Sequence, residues 1–577
     1  MKNSEIAAIF EEIANLIKIL QEDAKWPFRA AAYDKARRSI ESHPERLADI
    51  ARDPKRKLTE VPGVGADFAL KITELIETRS LKYHQELLTR VPRVQLELLQ
   101  LQTIGPAKVR LFHQHLGVQS VEDLEAAAKA GRLRGLPGMN EKSEANILKA
   151  IEVYRRAAGR FRLDAAFETA EALSEYLRGS KWVDQVTAAG SLRRGRETVG
   201  DLDLLVIGRD HASIASYFAK HPRVSEVLAQ GEDKVSVKLE NDMQVDMRLI
   251  EPESYGAALQ YFTGSKEHNV ALRERARKLG LKLSEYGLFR GDVSVAGRTE
   301  EAVYEKLGLA WIPPELREDQ GDIEAAESGS LPRLVDLGDI RGDLQMHTTA
   351  SDGHTSVEEM AFAAKALGYE YILITDHSKA VTVANGLDEK RAVENIRRIK
   401  EARANVPGIE IWAGAEVDIL GDGRLDYSDE VLRQFDIVLA SIHSRMTRPG
   451  EEMTERLLKA LENPYVRILA HPTGRQILRR DPFDFDVERI FEAARSLGVI
   501  LEVNASPERL DLCDHHVRLA RERGLRVVIS TDAHDPSHLR FMRYGVQTAR
   551  RGWMDRDRVV NSYPAPQLLA SLRPLPQ

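Results

Sequence analysis

The spacing of apolar positions changes near residue 160 of the chain. Up to that point apolar residues recur every three or four positions between tight Gly/Pro turns such as "EVPGVGADFALKI" and "RGLPGMNEKSEANIL", which predicts a series of short helices. From about residue 161 to 317, helical spacing is mixed with the apolar runs "DLDLLVIG", "KVSVKLE" and "MQVDMRLI". These runs predict strands, so we expect a helical first part followed by an α+β part.

Beyond about residue 338, helices alternate with short apolar strands, namely "YEYILITDH", "IEIWAGAEVD", "FDIVLASIH", "YVRILAH", "GVILEVNAS" and "LRVVISTDAH". Such alternation predicts parallel strands joined by crossovers, an α/β arrangement. Because each strand ends in His, Asp, Glu or Asn, we expect a barrel, whose active sites are built at the C-terminal strand ends. The polar stretch before it, "REDQGDIEAAESGSLPRL", predicts a linker at about 318–338.

Composition narrows the functional classes. At 577 residues the chain is too long for one hydrophobic core, so several domains are expected. No apolar run is long enough to span a bilayer, and "MKNSEIAAIFEEIANLIKIL" predicts an amphipathic helix rather than a signal peptide. The single cysteine, Cys513, fits a reducing cytoplasm. A net charge of −7 argues against a uniformly basic nucleic-acid binder, but a small basic excess in residues 1–160 favours nucleic-acid contacts there.

Two aspartates open an otherwise apolar strand. Asp201 and Asp203 are two positions apart, so they project from one face while the other face is apolar. Asp246 has the matching place in "MQVDMRLI", and antiparallel pairing is expected to bring it beside them. Three converging carboxylates suit two Mg²⁺ or Mn²⁺ ions about 4 Å apart, which activate an attacking oxygen and stabilise a phosphate. A solvated strand edge is the alternative interpretation of Asp-x-Asp alone.

The segment just upstream favours the metal site over that alternative. Gly190 and Ser191 open "GSLRRG", which offers a tight turn and a hydroxyl group. Arg193 and Arg194 follow and could bind a triphosphate.

The helical part carries turns suited to DNA phosphates. In "VPGVGADFALKI", Gly63 and Gly65 let the backbone approach a phosphate, and amides at the helix start donate to it. Two less regular turns, at Gly105 and Gly138, extend this helix-hairpin-helix pattern. It predicts a sequence-independent contact with the DNA backbone, with an ordinary helix–loop–helix turn as the alternative.

A second candidate metal site lies along the predicted barrel rim. The groups that follow its strands are His377, Glu416, His443, His471, Asp532 and His534. Mixed imidazole and carboxylate ligands suit Mn²⁺, Zn²⁺ or Fe²⁺ better than Mg²⁺. Several ions sharing carboxylates indicate phosphoester hydrolysis.

The two aspartates and the turn before them belong to a stretch that resembles a known family. "GSLRRGRETVGDLDLLV" resembles the nucleotidyltransferase signature of DNA polymerase family X, the polymerase beta-like enzymes, and "SYGAALQYFTGSKEHNVALR" resembles that family's nucleotide-binding segment. "GLAWIPPELRE" is similar to the end of the thumb in bacterial members. The resemblance implies that Asp201, Asp203 and Asp246 are catalytic. It also implies that nucleotide is bound by Gly190, Ser191, Arg194, Tyr261, Phe262, Gly264, Asn269 and Arg273.

The same resemblance bears on a second activity at Lys71. This lysine aligns with the one that attacks an abasic sugar as a Schiff base in polymerase beta. Asp67 stands where that relative is basic, and a carboxylate there favours the charged ammonium over the nucleophilic amine. A plain surface lysine is therefore the preferred interpretation.

The barrel segments resemble the PHP domain (polymerase and histidinol phosphatase), a distorted (β/α)7 barrel with up to three metals. That resemblance adds His347 and Asp352 to the ligands. Its opening motif is normally His-x-His, but "GDLQMHTTASDG" has Gln345 at the first position. We expect weaker binding of the ion shared with Glu416 and Asp532, because an amide oxygen is a poorer transition-metal ligand. The remaining ligands could hold two ions.

The resemblance covers nearly the whole chain and implies template-directed filling of short gaps in base excision repair. DNA with a gap or a primer end and dNTPs would be the substrates, and the PHP domain would supply a 3′–5′ exonuclease and, in some members, abasic-site cleavage. A small-molecule phosphatase of the histidinol-phosphate type with a vestigial polymerase half and a non-catalytic DNA-binding scaffold are the alternatives. We expect a cytoplasmic monomer that binds no membrane. The implied domains are DNA-binding 1–90, fingers 91–160, palm 161–250, thumb 251–317, linker 318–338 and PHP 339–577.

Overall fold

The computed structural model describes residues 1–574 apart from 2, 42, 44, 62, 92 and 103. These residues form two compact units: Met1–Ala158 with Leu478–Arg480, and Gly159–Ile477 with the described residues from Asp481 onward. The finer domain boundaries given above remain predictions. None of the helices in this described part is both long and apolar enough to cross a membrane.

The first unit is helical, as its apolar spacing predicts. Its α-helices are α1 (Asn3–Leu20), α2 (Trp26–Glu41), α3 (Leu47–Arg52), α4 (Ala66–Thr78), α5 (Lys82–Leu88), α6 (Arg93–Glu97), α7 (Pro106–Leu116), α8 (Val121–Lys129) and α9 (Glu141–Ala157). Residues three or four apart share a helix face, and on α1 this face carries Ile6, Phe10 and Ile13, all fully buried.

The second unit begins with a mixed sheet and its helices. The elements are β1 (Phe161–Arg162), α10 (Leu163–Arg178), β2 (Val183–Ala188), α11 (Gly190–Arg193), β3 (Thr198–Val199), β4 (Asp201–Gly208), α12 (His211–Ala219), β5 (Val224–Gln230), β6 (Lys234–Leu239) and β7 (Gln244–Leu249). Five strands form one sheet in the order β2-β4-β7-β6-β5. The side chains of Leu202, Leu204, Val245 and Met247 are buried, which gives the sheet its apolar face.

The pairing of β4 with β7 differs from the expectation. These strands are parallel, not antiparallel, and Asp203 lies directly opposite Asp246. The chain leaves β4 through α12 and the β5–β6 hairpin, so β7 returns in the same direction as β4. The antiparallel expectation is therefore wrong, while the two carboxylates still meet on one face.

A smaller three-stranded sheet and four helices follow. They are α13 (Tyr255–Thr263), α14 (Lys266–Lys278), β8 (Lys282–Ser284), β9 (Gly287–Arg290), β10 (Val293–Ala296), α15 (Glu300–Lys306) and α16 (Asp322–Ser328). The segment expected to be a linker contains α16, and Ile323 and Ala326 join the core of this region. This segment is packed against the rest of the unit rather than solvated, because its buried charges have partners. Asp322, for example, pairs with His268.

The rest of the unit is a nearly closed parallel barrel with surrounding helices. Its elements are β11 (Gly342–Asp343), α17 (Val357–Ala366), β12 (Tyr371–Ile374), α18 (Glu389–Asn405), β13 (Glu410–Asp418), α19 (Asp429–Leu432), β14 (Ile437–Ser441), α20 (Gly450–Glu462), β15 (Val466–Leu469), α21 (Val487–Leu497), β16 (Ile500–Asn504), α22 (Asp514–Glu522), β17 (Val527–Ser530), α23 (Met542–Arg551) and α24 (Ala565–Ser571).

Seven strands make up this barrel, paired in chain order from β11 to β17 and all parallel. The first and last strands approach each other through a parallel bridge between Met346 and Ala533. Successive residues of one strand point to opposite sides, and Val438 and Leu439 accordingly join two different hydrophobic clusters. The predicted barrel is confirmed, and its seven strands agree with the expected (β/α)7 architecture.

Candidate active sites

The first candidate site is the acidic face of the five-stranded sheet. Asp203 on β4 and Asp246 on β7 are register partners, and Asp201 projects from the same face two residues earlier. Asp201 is exposed, Asp203 is half-buried and Asp246 is buried. The structure therefore brings the three predicted carboxylates together.

Their electrostatics show an excess of negative charge. Burial, followed by repulsion from Asp201 and Asp246, raises the pKa of Asp203 to about 7. At Asp246 burial is outweighed by hydrogen bonds from Lys234, Gln244 and Ser236, so its pKa lies below the usual value. The Nζ atom of Lys234 lies 2.7 Å from Asp246 Oδ2. An all-oxygen donor set with repelling carboxylates fits Mg²⁺ or Mn²⁺.

A glycine turn brings backbone against this acidic face. Gly190 has φ of +63°, and a Cβ atom placed there would lie 2.5 Å from Asp203 Oδ2. Only glycine allows both that conformation and that close approach. Ser191 follows as the second residue of α11, so the turn places this part of the backbone beside Asp203.

The two arginines after this turn have different surroundings. Arg194 donates from Nη1 to Thr263 O and from Nε to Glu318 at 3.1 Å, which keeps its guanidinium near the turn. Arg193 forms a bidentate pair with Glu300, both contacts at 2.8 Å. The sequence offers both arginines to a triphosphate. In the structure each is paired with a carboxylate, Arg193 with Glu300 and Arg194 with Glu318, and the assignment of Arg194 to the triphosphate stays a prediction.

The last turn of α13 and the glycine that follows it lie next to the start of α14, and a hydrogen bond joins the two helices. Tyr261 and Phe262 form the last turn of α13, and Gly264 has φ of +69°. Asn269 donates from Nδ2 to Tyr261 O at 2.7 Å, and Arg273 donates from Nε to Asn269 O at 3.2 Å. The Asn269 side chain thus links the start of α14 to the end of α13 at Tyr261.

Helix starts in the first unit supply candidate phosphate contacts. Gly65 precedes α4 and Gly105 precedes α7, and among the described residues neither start has a side-chain cap. Gly63 and Gly138 both have positive φ, as tight turns require. At α9, Asn140 Oδ1 accepts a hydrogen bond from Ser143 N at 2.8 Å. That helix start is therefore already capped, whereas α4 and α7 leave amides for an external acceptor.

Lys71 on α4 is surrounded by one acidic and three aromatic side chains. Its ammonium pairs with Asp67 and lies 5.4 Å from the ring centre of Tyr33 and 5.1 Å from that of Tyr83. Both kinds of neighbour stabilise the positive charge. With 20% of its side chain exposed, Lys71 is half-buried rather than fully at the surface, and the absence of a lyase role stays a prediction.

The second candidate site is at the C-terminal rim of the barrel. Seven of the eight residues expected as ligands meet there, in three groups: His347, Asp352, His377 and His534; His377, Glu416 and His443; and His347, Glu416 and Asp532. His471 joins them through a contact of 2.7 Å between Nε2 and Glu416 Oε1. Glu416 thus belongs to two groups and contacts a fourth histidine, as a bridging carboxylate would.

The charges at this rim are strongly coupled. Glu416 is fully buried, yet the neighbouring His377, His443 and His471 outweigh burial and hold its pKa well below the usual value. Burial lowers the pKa of His377 to about 3. Burial opposes charge on His443 as well, but Glu416 and Asp418 raise its pKa to about 9.

Buried polar atoms at the rim fit bound cations. Among the described residues, His347 Nδ1, His377 Nδ1, His471 Nδ1 and Glu416 Oε2 are buried without a hydrogen-bond partner. Such atoms normally find partners inside proteins, and imidazole nitrogens and carboxylate oxygens are the ligands that Mn²⁺, Zn²⁺ and Fe²⁺ take. The donor set therefore fits these ions.

Gln345 is another buried residue at the rim whose polar side-chain atoms lack hydrogen-bond partners among the described residues. Its side chain is fully buried, and neither Oε1 nor Nε2 has a partner within the described chain. The amide lies two residues before His347 on the strand-end segment that leads into the site. An amide oxygen can serve a hard cation, but it is a weaker ligand than imidazole for zinc.

Sequence reasoning missed three residues around Asp532. Glu502 on β16 is fully buried, and burial, followed by the charge of Asp532, raises its pKa well above the usual value. Asn504 donates from Nδ2 to Asp532 Oδ2 at 3.2 Å, and Arg509 Nε lies 3.6 Å from the same oxygen. The signal for Glu502 was present in "GVILEVNAS", where one carboxylate interrupts an apolar strand.

Comparisons with known proteins match this architecture. Four family models match parts of the chain: "Helix-hairpin-helix domain" over residues 1–81, "SAM-like Helix-hairpin-helix tandem" over 96–152, "DNA polymerase beta thumb" over 258–318 and "PHP domain" over 343–506. The matched regions lie in the helical unit, in the segment from α13 to the start of the expected linker and in the barrel.

Two individual proteins and one solved structure show similarity to this chain. The chain is 37% identical over 567 residues to the Bacillus subtilis protein named "DNA polymerase/3'-5' exonuclease PolX", covering 97% of this chain and 98% of that protein. A protein of Acetivibrio thermocellus named "Probable phosphatase" is 36% identical over 205 residues, 33% of this chain and 78% of that protein. A structure titled "Crystal structure of Leishmania infantum polymerase beta: Ternary P/T complex" matches with a TM-score of 0.26 and 22% identity, covering 39% of this chain and 99% of that chain. The first relative matches this chain over nearly its full length, the second over a third of it.

Proposed function

Since this chain belongs to the bacterial family X DNA polymerases that carry a PHP domain, we propose that it fills short gaps in DNA and shortens 3′ ends at its barrel. The observation that carries the polymerase assignment is the direct pairing of Asp203 with Asp246 beneath the Gly190 turn. A nucleotide whose phosphates lie against that turn is within reach of all three carboxylates.

Asp201, Asp203 and Asp246 would hold Mg²⁺ or Mn²⁺ on the sheet face. Bound there, the ions supply the charge that activates the primer's 3′ oxygen and stabilises the triphosphate. The residues around them orient the nucleotide. Ser191 and the turn amides donate to phosphate oxygens, and Arg194, fixed by Thr263 and Glu318, adds a positive charge without being free to swing away.

The nucleotide's sugar and base would lie against the segment between α13 and α14. Tyr261, Phe262 and Gly264 form the surface for the sugar. Asn269 and Arg273 stand on α14, the helix that would close over the new base pair. The hydrogen bonds from Asn269 to Tyr261 and from Arg273 to Asn269 couple recognition of the base to the position of the sugar.

DNA would be held through its backbone by the first unit. The uncapped starts of α4 and α7, with the turns at Gly63, Gly65 and Gly105, donate amides to phosphates. Gly138 would contribute less because Asn140 already caps α9. Such contacts carry no sequence information, as suits an enzyme that acts at gaps in any sequence.

The barrel rim would bind two or three Mn²⁺, Zn²⁺ or Fe²⁺ ions through the eight residues described above. When bound, the ions supply the nucleophile and the charge for hydrolysis of the terminal phosphodiester. Glu416 Oε1 holds the imidazoles of His443 and His471 in place through contacts of 3.3 and 2.7 Å with their Nε2 atoms. Asp418 orients His443 through its Nδ1 at 3.3 Å, as ligand-supporting carboxylates commonly do.

A gapped duplex with a labelled primer tests this proposal. With dNTPs and Mg²⁺ or Mn²⁺ we expect primer extension that stops when the gap is filled, and with Mn²⁺ but no dNTPs we expect shortening from the 3′ end. The phosphatase alternative predicts the reverse: hydrolysis of histidinol phosphate with no change in primer length. The enzyme would act on DNA in the cytoplasm, and monomeric behaviour remains a prediction for sedimentation analysis.

A further inference from the structure

One helix of the barrel packs against the phosphate-binding turn of the polymerase site. Gly195 follows Arg194 with φ of +67°, and a Cβ atom at Gly195 would lie 2.2 Å from Gln547 Cγ on α23. Two residues after α23, Trp553 joins the hydrophobic core of the thumb region. Helix α23 is therefore built into the polymerase half rather than resting loosely on it.

Arg551, the last residue of α23, makes four polar contacts there. It donates from Nη1 to Glu318 Oε1 at 2.9 Å and to the main-chain oxygen of Arg194 at 2.8 Å. Its Nε and Nη2 both contact Asp514 Oδ2, at 2.9 and 2.8 Å. The side chain is only 5% exposed, so a single guanidinium joins the barrel to the turn that holds Arg194.

Glu318 links the Arg551 contact to the proposed nucleotide-binding residue Arg194. Its carboxylate accepts from Arg194 Nε at 3.1 Å, which places a negative charge beside the residue assigned to the triphosphate. Burial opposes that charge, but Arg551, Arg194 and Arg196 outweigh it and lower the pKa of Glu318. An ionised Glu318 fixes Arg194 through this contact, but unless its charge is compensated it also repels phosphate oxygens.

We propose that Arg551 is a positioning residue of the polymerase site: it neutralises Glu318 and fixes the Arg194 backbone, so that the Arg194 guanidinium can bind the incoming nucleotide's phosphates. The inference rests on the proposed function of Arg194. It gives the barrel domain a role in nucleotide addition that is separate from its own hydrolytic chemistry.

The proposal predicts that loss of Arg551 changes KM for dNTP rather than kcat. Arg194 would contact the triphosphate before and during the reaction, so a disturbed Arg194 weakens binding in both states and raises KM while kcat changes little. We expect Arg551→Ala to raise KM for dNTP about tenfold on a gapped duplex, with kcat within about twofold. Mn²⁺-dependent 3′ shortening should stay within about twofold, which shows that the barrel is intact.

A matched control stands next to it on α23. Arg550 is also largely buried and pairs with a thumb-region carboxylate, Glu315, at 2.8 Å, but it has no contact with Arg194 or Glu318 among the described residues. Arg550→Ala should leave KM for dNTP within about twofold of wild type. Arg551→Lys keeps the charge and should recover part of the lost affinity, and Arg551→Met replaces the alanine variant if that variant does not fold.

The proposed relay is the action of Arg551 on Arg194 through Glu318. A double-mutant cycle separates this relay from a general structural role of Arg551. In a Glu318→Gln background there is no charge to neutralise, so adding Arg551→Ala should change KM less than about threefold. An unchanged KM for Arg551→Ala in the wild-type background overturns the proposal, and so does an equal KM increase in both backgrounds. If Arg194→Ala also leaves KM unchanged, the proposed function of Arg194 fails together with the relay; if it raises KM while Arg551→Ala does not, only the relay fails.

Discussion

We predict that ionised Asp203 destabilises the metal-free protein, although its carboxylate serves metal binding in the proposed polymerase site. Burial and the charges of Asp201 and Asp246 raise its pKa from an ordinary 3.8 to about 7. Each pKa unit corresponds to about 1.4 kcal/mol, so a rise of about three units makes the ionised form cost about 4 kcal/mol. Rearrangement of Lys234 and solvent will reduce this, and we expect a penalty of about 2–4 kcal/mol.

The sign of the pH dependence follows from the raised pKa. Between about pH 4 and pH 7 the folded chain keeps a proton on Asp203 that the unfolded chain has lost, so stability falls as the pH rises and the full penalty applies above pH 7. Asp203→Asn cannot ionise. The variant should be more stable than wild type at pH 8 in EDTA by about 2–4 kcal/mol, with the difference disappearing near pH 4.

Urea unfolding at the two pH values measures this difference, provided that the slope m is unchanged. Asp184→Asn is the control: Asp184 lies on the same sheet, is 46% exposed and has Arg209, at 3.5 Å, as its one ion-pair partner among the described residues, so its replacement should change stability by less than about 0.5 kcal/mol. Mg²⁺ should stabilise wild type but not Asp203→Asn. A variant no more stable than wild type at pH 8, or a gain that persists at pH 4, would refute the reasoning.

Three further predictions concern the barrel and α4. Gln345→His should add a transition-metal ion to the purified protein, measured by metal analysis, because imidazole replaces a weaker amide ligand; an unchanged metal content contradicts this. Burial opposes charge on His443 and His534, but their acidic neighbours raise both pKa values to about 9, so Mn²⁺ must displace these protons. Its affinity should rise from pH 7 to pH 9 with proton release, measured by calorimetry in two buffers, and a flat profile would count against it. Asp67→Asn should increase the borohydride-trapped adduct of Lys71 with an abasic site, since the ammonium loses its charged partner; equal trapping would show that Asp67 does not suppress the lysine.

The local part of both sites could be predicted from the sequence because it depends on strand periodicity. Asp201 and Asp203 share a face by the period of two, and the rim residues from His377 to His534 follow apolar strands. The direction of β7 could not be predicted in this way. It depends on β5, "VSEVLAQ", whose side chains are nearly all exposed and which therefore lacks the apolar alternation that marks a strand.

Long-range charge pairing explains the other differences. Glu318 and Asp322 made residues 318–338 look like a solvated linker, yet Arg551 and His268, distant in sequence, hold them in the interior. The partners of Arg193 and Arg194, Glu300 and Glu318, are also distant in sequence. Contacts of this kind depend on how domains pack, which no local pattern records.

The acidic face of the five-stranded sheet is the centre of this account, and Asp246→Ala tests it most directly. On a gapped duplex with dNTPs and Mg²⁺, this variant should show no primer extension while binding the same DNA with unchanged affinity, and its Mn²⁺-dependent shortening of the 3′ end should persist. Primer extension at the wild-type rate by Asp246→Ala would contradict the assignment of the polymerase site.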